Sequence, residues 1–407
     1  MDILFITRLY SGFEFSLEKL DWKPEGVPTI YNLINKLSKM HNISIIFTAK
    51  DSGKTYTSKW KKRNDISLKL KGLRANIYAL SGIYYFPKFI PKKIAMIFRD
   101  FRQLLVVIKY IRKNNTDLIY CDSANVVIAY ILTKLFPKKK VVVRVLGVCS
   151  FWRAILSSNR LVHRIYKYSF KGSFSCVIGT QDGSGIEYWF KEVLKKNVSR
   201  HVLLNGVDAN KNIKKNITVH KRILFVGRLE SYKGIIVFIK AMIKILKKDN
   251  FHLTIFIIGD GSLYSDAVGL CKEAGVLKHF KFLKSIPHSE VLKYHSNSDI
   301  YVSANTDGNL INTNLEAISS DACMIIPKQQ KNKLIDIKTM ELLKNAVTYY
   351  KVNDIDDLKN KTSFLLNSPK EIMLFKNKIA KTKKKFIKTW MQRVDEEVKI
   401  LEDIVRK

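Results

Sequence analysis

The residues best suited to chemistry stand in Val226-Gly227-Arg228-Leu229-Glu230-Ser231-Tyr232-Lys233-Gly234, where an apolar run, Arg222 to Val226, gives way to an amphipathic helical pattern. Gly227 lets the backbone turn tightly at a strand exit. Arg228 offers a planar fork of donors and Lys233 a mobile point charge five residues on, a pairing suited to phosphate. A second stretch, Thr306 to Ile318, again follows an apolar strand pattern, Asp299 to Ser303, and runs into a helix whose first turn holds Thr313 and Asn314. Free N–H groups and the positive end of the helix dipole make that turn a second place for an anion. Glu316, one turn further, is a carboxylate suited to gripping the vicinal hydroxyls of a ribose.

These loops need a scaffold, and the pattern around them supplies one. Buried strands are expected at Asp2 to Thr7, Ile43 to Thr48, Leu118 to Cys121, Val141 to Val145 and Cys176 to Gly179, with helices between, one of them opened by Pro28. The second half repeats the alternation with strands at 222–226, 253–258, 280–283, 299–303 and 323–326. Strands alternating with helices imply doubly wound parallel sheets, and 407 residues suit two of them. Ligands then sit beyond the carboxyl ends of the strands. Gly12 and Gly26, in the first strand-to-helix connection, are expected to approach phosphates.

In type and order these motifs resemble the C-terminal domain of the family 4 retaining glycosyltransferases. The likeness rests on Gly227-Arg228-Leu229 with Lys233-Gly234, Gly259-Asp260-Gly261 after a strand, Ser285-Ile286-Pro287-His288 before a helix, and Asn309-Leu310-Ile311-Asn312 followed by Leu315-Glu316-Ala317. Asn205-Gly206-Val207-Asp208 would mark the crossing between domains. The resemblance implies an α/β, GT-B fold of two facing Rossmann-like domains with a cleft between them. Residues 1–205 would form the acceptor-side domain and 206–384 the nucleotide-sugar domain, with a helix over 385–407 returning to the first.

The same resemblance implies that Arg228 and Lys233 bind the donor diphosphate, Glu316 the ribose, and the backbone around Asn314 and Leu315 the distal phosphate. Gly227, Asp260, Ile286, Asp307, Asn309 and Asn312 would complete the donor site. Two positions depart from the family pattern. Gly308 stands where many members have a glutamate that orients the donor sugar, with Asp307 as a weaker substitute, and Leu146 stands where a histidine often precedes a glycine, with Arg144 nearby. The expected activity is metal-independent, cofactor-free hexosyl transfer, with retention, from a nucleotide diphosphate sugar to a membrane-associated glycan or lipid-linked acceptor, of the bacterial surface-polysaccharide type. The alternative is a catalytically silent protein of the same fold that binds a nucleotide or glycan.

The formal charge of +37 is concentrated unevenly. Residues 1–200 hold 36 Lys and Arg against 13 Asp and Glu, and residues 51–113 hold 16 against 3 around Tyr84, Tyr85, Phe86, Lys88, Phe89, Lys92 and Lys93. A solvated lysine face is the ordinary reading, and no nucleic-acid module accompanies the charge. Basic residues interleaved with aromatics fit docking on an anionic membrane surface, which places the protein on the inner face of the cytoplasmic membrane. Cys121, Cys149, Cys176, Cys271 and Cys323 are widely spaced and indicate neither disulfides nor a metal site. Asp354-Ile355-Asp356 reads as a helix start, and Asp208 to Lys221 as a loop between domains.

Overall fold

The computed structural model describes residues 1–50, 60, 62–83, 86–208, 221–248, 252–284 and 286–406. Tyr84, Tyr85, Ser285, most of the expected interdomain loop (209–220) and part of the basic region lie outside the described residues. The chain forms two compact units. Unit 1 comprises Met1–Thr180, Glu187–Leu203 and Gln392–Lys407; unit 2 comprises Gln181–Ile186 and Leu204–Met391.

Unit 1 is built on strands β1 (Asp2–Arg8), β2 (Asn42–Thr48), β3 (Ile66–Leu68), β4 (Asn76–Leu80), β5 (Leu118–Asp122), β6 (Lys140–Val145), β7 (Cys176–Gln181) and β8 (Arg200–Leu204), in the spatial order β3-β4-β2-β1-β5-β6-β7-β8. The pairs from β4 through β7 are parallel, and β3 runs antiparallel to β4. Their near-continuous apolar runs follow from burial on both faces: Leu4, Phe5, Ile6, Ile45, Ile46 and Phe47 are fully buried. The three residues of β3 are too few to show a period, and β4 and β8 were likewise not expected. The first connection also differs from expectation, because a helix, Ser11–Lys19, intervenes before the one opened by Pro28.

Helix Trp390–Arg406 places Val394, Val398 and Leu401 in the same core as Ile3, Phe5 and Leu33. It also carries Glu397 into a buried ionic cluster. Glu397 Oε2 lies 2.7 Å from Arg393 Nη2, and its Oε1 accepts from Tyr120 at 2.6 Å and lies 3.5 Å from Arg144 Nε. Arg144, with no exposed surface, also donates to the Val145 and Ile178 carbonyls and to Thr180 Oγ1. The two guanidinium charges hold the Glu397 carboxyl below its usual range against the opposing pull of burial, the largest single influence on it. Arg144 is therefore a core residue of unit 1.

Unit 2 has strands β9 (Lys221–Val226), β10 (Leu253–Ile258), β11 (Phe280–Leu283), β12 (Ile300–Val302), β13 (Cys323–Pro327) and β14 (Thr348–Tyr350), ordered β11-β10-β9-β12-β13-β14 and parallel throughout. β14 lies beyond the last strand expected from the sequence, and its three residues carry no period of their own. Helix Ile355–Asn367 starts at Asp354, whose side chain accepts from the Asp357 N–H. Among the described residues no group of acidic, histidine or cysteine side chains is placed to hold a metal ion, and no helix is long and apolar enough to cross a membrane.

Candidate functional site

In unit 2 the chain leaves β9 toward β10 on one side and reaches β12 on the other, so the sheet reverses its winding at β9. The loops after β9, β10 and β12 meet there. Gly227 N–H donates to the Ile258 carbonyl, Leu229 N–H to the Asp260 carbonyl and Leu263 N–H to the Leu229 carbonyl, at 3.0, 3.0 and 2.9 Å. The approach explains the glycine turn: a Cβ on Gly259 would lie 2.0 Å from the Gly227 oxygen, and its φ of +139° disfavours any other residue. Thr306 N–H reaches the Tyr232 carbonyl at 2.9 Å and ties in the third loop.

This framework positions the cations. Lys233 closes a single 3-10 turn, Ser231–Lys233, and its ammonium lies 5.2 Å from the Tyr232 ring centroid. Burial pushes its pKa down to about 8, opposed by Asp182 and Asp307 and assisted by Arg228. The group is thus held charged at neutral pH with little to spare, a state that a phosphate would relieve. Arg228 is half-buried beside it.

The loop after β12 differs from expectation in an instructive way. Asn309 is fully buried: its Oδ1 accepts from Ser303 at 2.9 Å, and its N–H and Nδ2 donate to Asp336 at 2.6 and 2.7 Å. Asn314 is buried as well, accepting from the Tyr301 hydroxyl at 2.7 Å and donating to Asn309. Both side chains are occupied in building the loop and are unavailable to a donor. In helix Asn312–Ser319 the Asn314 and Leu315 N–H groups already donate to the Ile311 carbonyl, so the first-turn donors without intrahelical partners are those of Asn312 and Thr313. Leu315 is core, and Asn312 is half-buried with its Oδ1 accepting from Asn205 at 2.8 Å.

Glu316, only 9% exposed, accepts from His288 Nε2 at 2.9 Å, and its other oxygen lies 4.0 Å from His295 Nε2. The bond to Glu316 raises the His288 pKa, while burial pushes His295 down to about 3 and keeps it neutral. His288 was visible in the sequence only as the end of a motif. Ile286 packs beside the core containing Leu315 and Ile258. Asp260 is exposed, its carboxylate accepting from the Gly261 N–H, and Asp307 is half-buried. Gly12 and Gly26 belong to unit 1. A Cβ on Gly12 would meet the Glu25 carbonyl oxygen at 2.0 Å, so it is a packing glycine, whereas Gly26 has nothing within 4 Å.

Sequence reasoning missed one segment altogether. Gln181–Ile186 follows β7 but packs on unit 2, with Leu310 N–H donating to the Asp182 carbonyl at 3.0 Å and Asp336 N–H to the Gly183 carbonyl at 2.7 Å. It fills the space over Gly308: a Cβ there would lie 2.5 Å from the Asp182 oxygen, at a φ of +133°. Gly308 is required by this contact. The negative charge near Lys233 therefore comes from Asp182 as well as Asp307.

With this geometry in view, comparison with known proteins is specific for one part of the chain. Residues 207–385 match the family model described as "Glycosyl transferases group 1". An uncharacterized glycosyltransferase of Methanocaldococcus jannaschii is 36% identical over 94 residues, covering 22% of this chain and 24% of that protein. Among solved structures, the chain is similar to sucrose-phosphate synthase from Thermosynechococcus elongatus (TM-score 0.71, 12% identity, 98% of each chain covered). It is also similar to Anabaena HepE in complex with UDP (TM-score 0.66, 15% identity, 99% and 100% covered) and to WaaG, a glycosyltransferase involved in lipopolysaccharide biosynthesis (TM-score 0.66, 10% identity, 98% and 99% covered). The likeness to group 1 glycosyl transferases is thus confined to residues 207–385, and the chain as a whole has the GT-B fold.

Proposed function

We propose that the protein is a retaining glycosyltransferase that moves a sugar from a nucleotide diphosphate donor to a hydroxyl of a membrane-associated glycan or lipid-linked acceptor. The observation that carries this reading is the half-buried Lys233 ammonium, pushed down to about 8 beside Arg228, in loops converging at the switch point of the unit 2 sheet. Its family match and the structure of a similar fold with UDP bound support a nucleotide donor.

In this reading Arg228 and Lys233 neutralise charge that grows on the departing diphosphate, so their contacts strengthen in the transition state. The Asn312 and Thr313 N–H groups add donors at the helix start, and Glu316, steadied by His288, accepts from the ribose hydroxyls. Asp182 and Asp307 are the carboxylates placed to meet the donor sugar, in place of a side chain that Gly308 cannot carry. The leaving phosphate takes the acceptor proton, so no protein base is called for.

A thermal-shift series with nucleoside diphosphates and their sugars tests the donor. The correct ligand at about a hundredfold its Kd stabilises by roughly 2.7 kcal/mol. No stabilisation by any nucleoside diphosphate would remove the donor reading, and binding without transfer or donor hydrolysis would leave the silent alternative.

Membrane association has its own support. Helix Lys92–Lys113 buries Ala95, Arg99, Gln103, Val107 and Ile111 on one face and exposes Ile94, Ile97, Phe98, Phe101 and Leu105 on the other, with Ile97 70% exposed. Phe89, 84% exposed, precedes it among Lys88, Lys92 and Lys93. Apolar side chains ringed by lysines are complementary to an anionic lipid surface.

A further inference from the structure

The carboxyl ends of β1, β2 and β5 gather a second set of charges, in unit 1. Arg8 ends β1, Lys50 stands two residues beyond β2, Asp122 ends β5, and Arg99 enters from the buried face of helix Lys92–Lys113. Lys50 Nζ lies 2.8 Å from Asp100 Oδ1, and Arg99 reaches the same oxygen through Nε and Nη2, each at 2.9 Å. One carboxylate thus serves two cations. The other, Asp122, is fully buried and surrounded by uncharged donors: the Arg8 N–H at 2.7 Å, Asn125 Nδ2 at 2.8 Å, Thr7 Oγ1 at 3.1 Å and the Tyr10 hydroxyl at 3.3 Å.

The Arg8 guanidinium is left over. It makes no ion pair among the described residues, its Nε is buried without a hydrogen-bond partner, and its Cζ lies 5.7 Å from the Tyr10 ring centroid. A buried guanidinium nitrogen without an acceptor costs free energy that a ligand would recover. Tyr166, on helix Leu161–Ser169, lies within the fields of Asp100, Arg99, Arg8 and Asp122, so these groups converge; burial pushes its pKa up to about 12, and it remains a neutral donor. Three cations face two carboxylates. The place is also the topological switch point of this sheet, since β1 lies between β2 and β5, and there the crevice of a doubly wound fold opens.

We propose that Arg8, Lys50 and Arg99 form an anion site at the switch point of unit 1, and that it holds a phosphate group of the acceptor. The site stands on the geometry alone; its assignment to the acceptor rests on the transferase reading. Arg8 supplies the planar fork, Lys50 and Arg99 adjust their hold on Asp100 as the ligand's charge arrives, and Tyr166 donates to a phosphate oxygen.

The test uses the full chain carrying Arg228→Ala and Lys233→Ala, which removes the unit 2 cations, titrated with inorganic pyrophosphate by calorimetry. Saturable binding is expected, weakened about tenfold or more by adding Arg8→Gln and partly restored by Arg8→Lys. Lys50→Gln, which removes a different cation of the set, provides the same readout if Arg8→Gln does not fold. Absence of binding in the starting variant, or equal affinity in all of these variants, overturns the site. Phosphatidylcholine vesicles with dihexadecyl phosphate identify the source. Vesicle binding that needs Arg8 and is displaced by pyrophosphate assigns a lipid-borne phosphate, whereas Arg8-dependent pyrophosphate binding with vesicle binding that ignores Arg8 assigns a soluble one. UDP binding by the native chain is measured alongside. Its failure removes the donor reading and leaves the pyrophosphate result standing, so the two are separable.

Discussion

The carboxyl ends of β1 in unit 1 and β9 in unit 2 occupy the same place in their sheets, and each carries an arginine, Arg8 and Arg228. Their surroundings differ. In unit 2 the loops are closed by backbone contacts at glycines, and Lys233 is held by burial with only partial compensation from Asp182 and Asp307. In unit 1 charges are matched side chain to side chain, as in Lys50 with Asp100 and Arg99, and deeper in the core as in Glu397 with Arg144 and Arg393. Charges balanced in the core, as at Glu397, secure a fold, and cations that outnumber the carboxylates around them, as at Lys233 and Arg8, leave room for a ligand's charge.

The comparison breaks most readily at Glu397. Glu397→Ala leaves two buried guanidinium groups without their carboxylate and is expected to cost about 3–5 kcal/mol. The urea midpoint should fall with little change in nucleotide affinity. A midpoint equal to that of the native chain would mean the buried cluster contributes nothing.

At the other pole, Arg228→Ala or Lys233→Ala should lower turnover on the order of a hundredfold, or about 2.7 kcal/mol, without moving the urea midpoint. Retained transfer in either variant would take that residue out of the phosphate site.

Gly308→Ala sharpens the contrast, because its Cβ would press on the Asp182 oxygen at 2.5 Å from a φ of +133°. A loss of about 1–3 kcal/mol is expected, with faster hydrogen exchange at the Leu310 and Asp336 amides that hold the segment. Unchanged exchange at both would show that the segment does not depend on Gly308.

A pH series addresses Lys233 directly. Its lowered pKa means that it is charged below about 8 and neutral above, so diphosphate affinity should fall as pH rises through that value, by at most about tenfold per unit. Binding above it should take up a proton, seen as a dependence of calorimetric enthalpy on the buffer. A flat profile in the native chain, matching that of Lys233→Arg, would remove the lysine from the response.

The smallest effects belong to the membrane face. Each of Lys88, Lys92 and Lys93 changed to Glu should weaken flotation with phosphatidylglycerol vesicles by about 1 kcal/mol per charge removed, and salt should release the native protein. Equal binding to neutral vesicles would falsify an electrostatic dock.

The placement of Arg228 and Lys233 at a strand exit was legible because glycine spacing and the apolar run of β9 are local signals. The strand pattern of both units was legible for the same reason where strands are buried on both faces, whereas β4 and β8, partly exposed, were missed. That the side chains of Asn309 and Asn314 bond to the loop itself was not legible, because an asparagine has the same appearance in sequence whether its amide meets a ligand or its own neighbours.

Sequence alone therefore determined two α/β halves, the cation pair and the helix start after β12, each set by the periodicity and turn chemistry of a few neighbouring residues. Tertiary structure decided that Gln181–Ile186 leaves the strand it follows to cover Gly308, that Glu397 returns to Arg144 and Tyr120, and that Arg8, Lys50 and Arg99 converge. These contacts join residues far apart in the chain, and they form only when strand order and helix packing bring their side chains to the same end of a sheet.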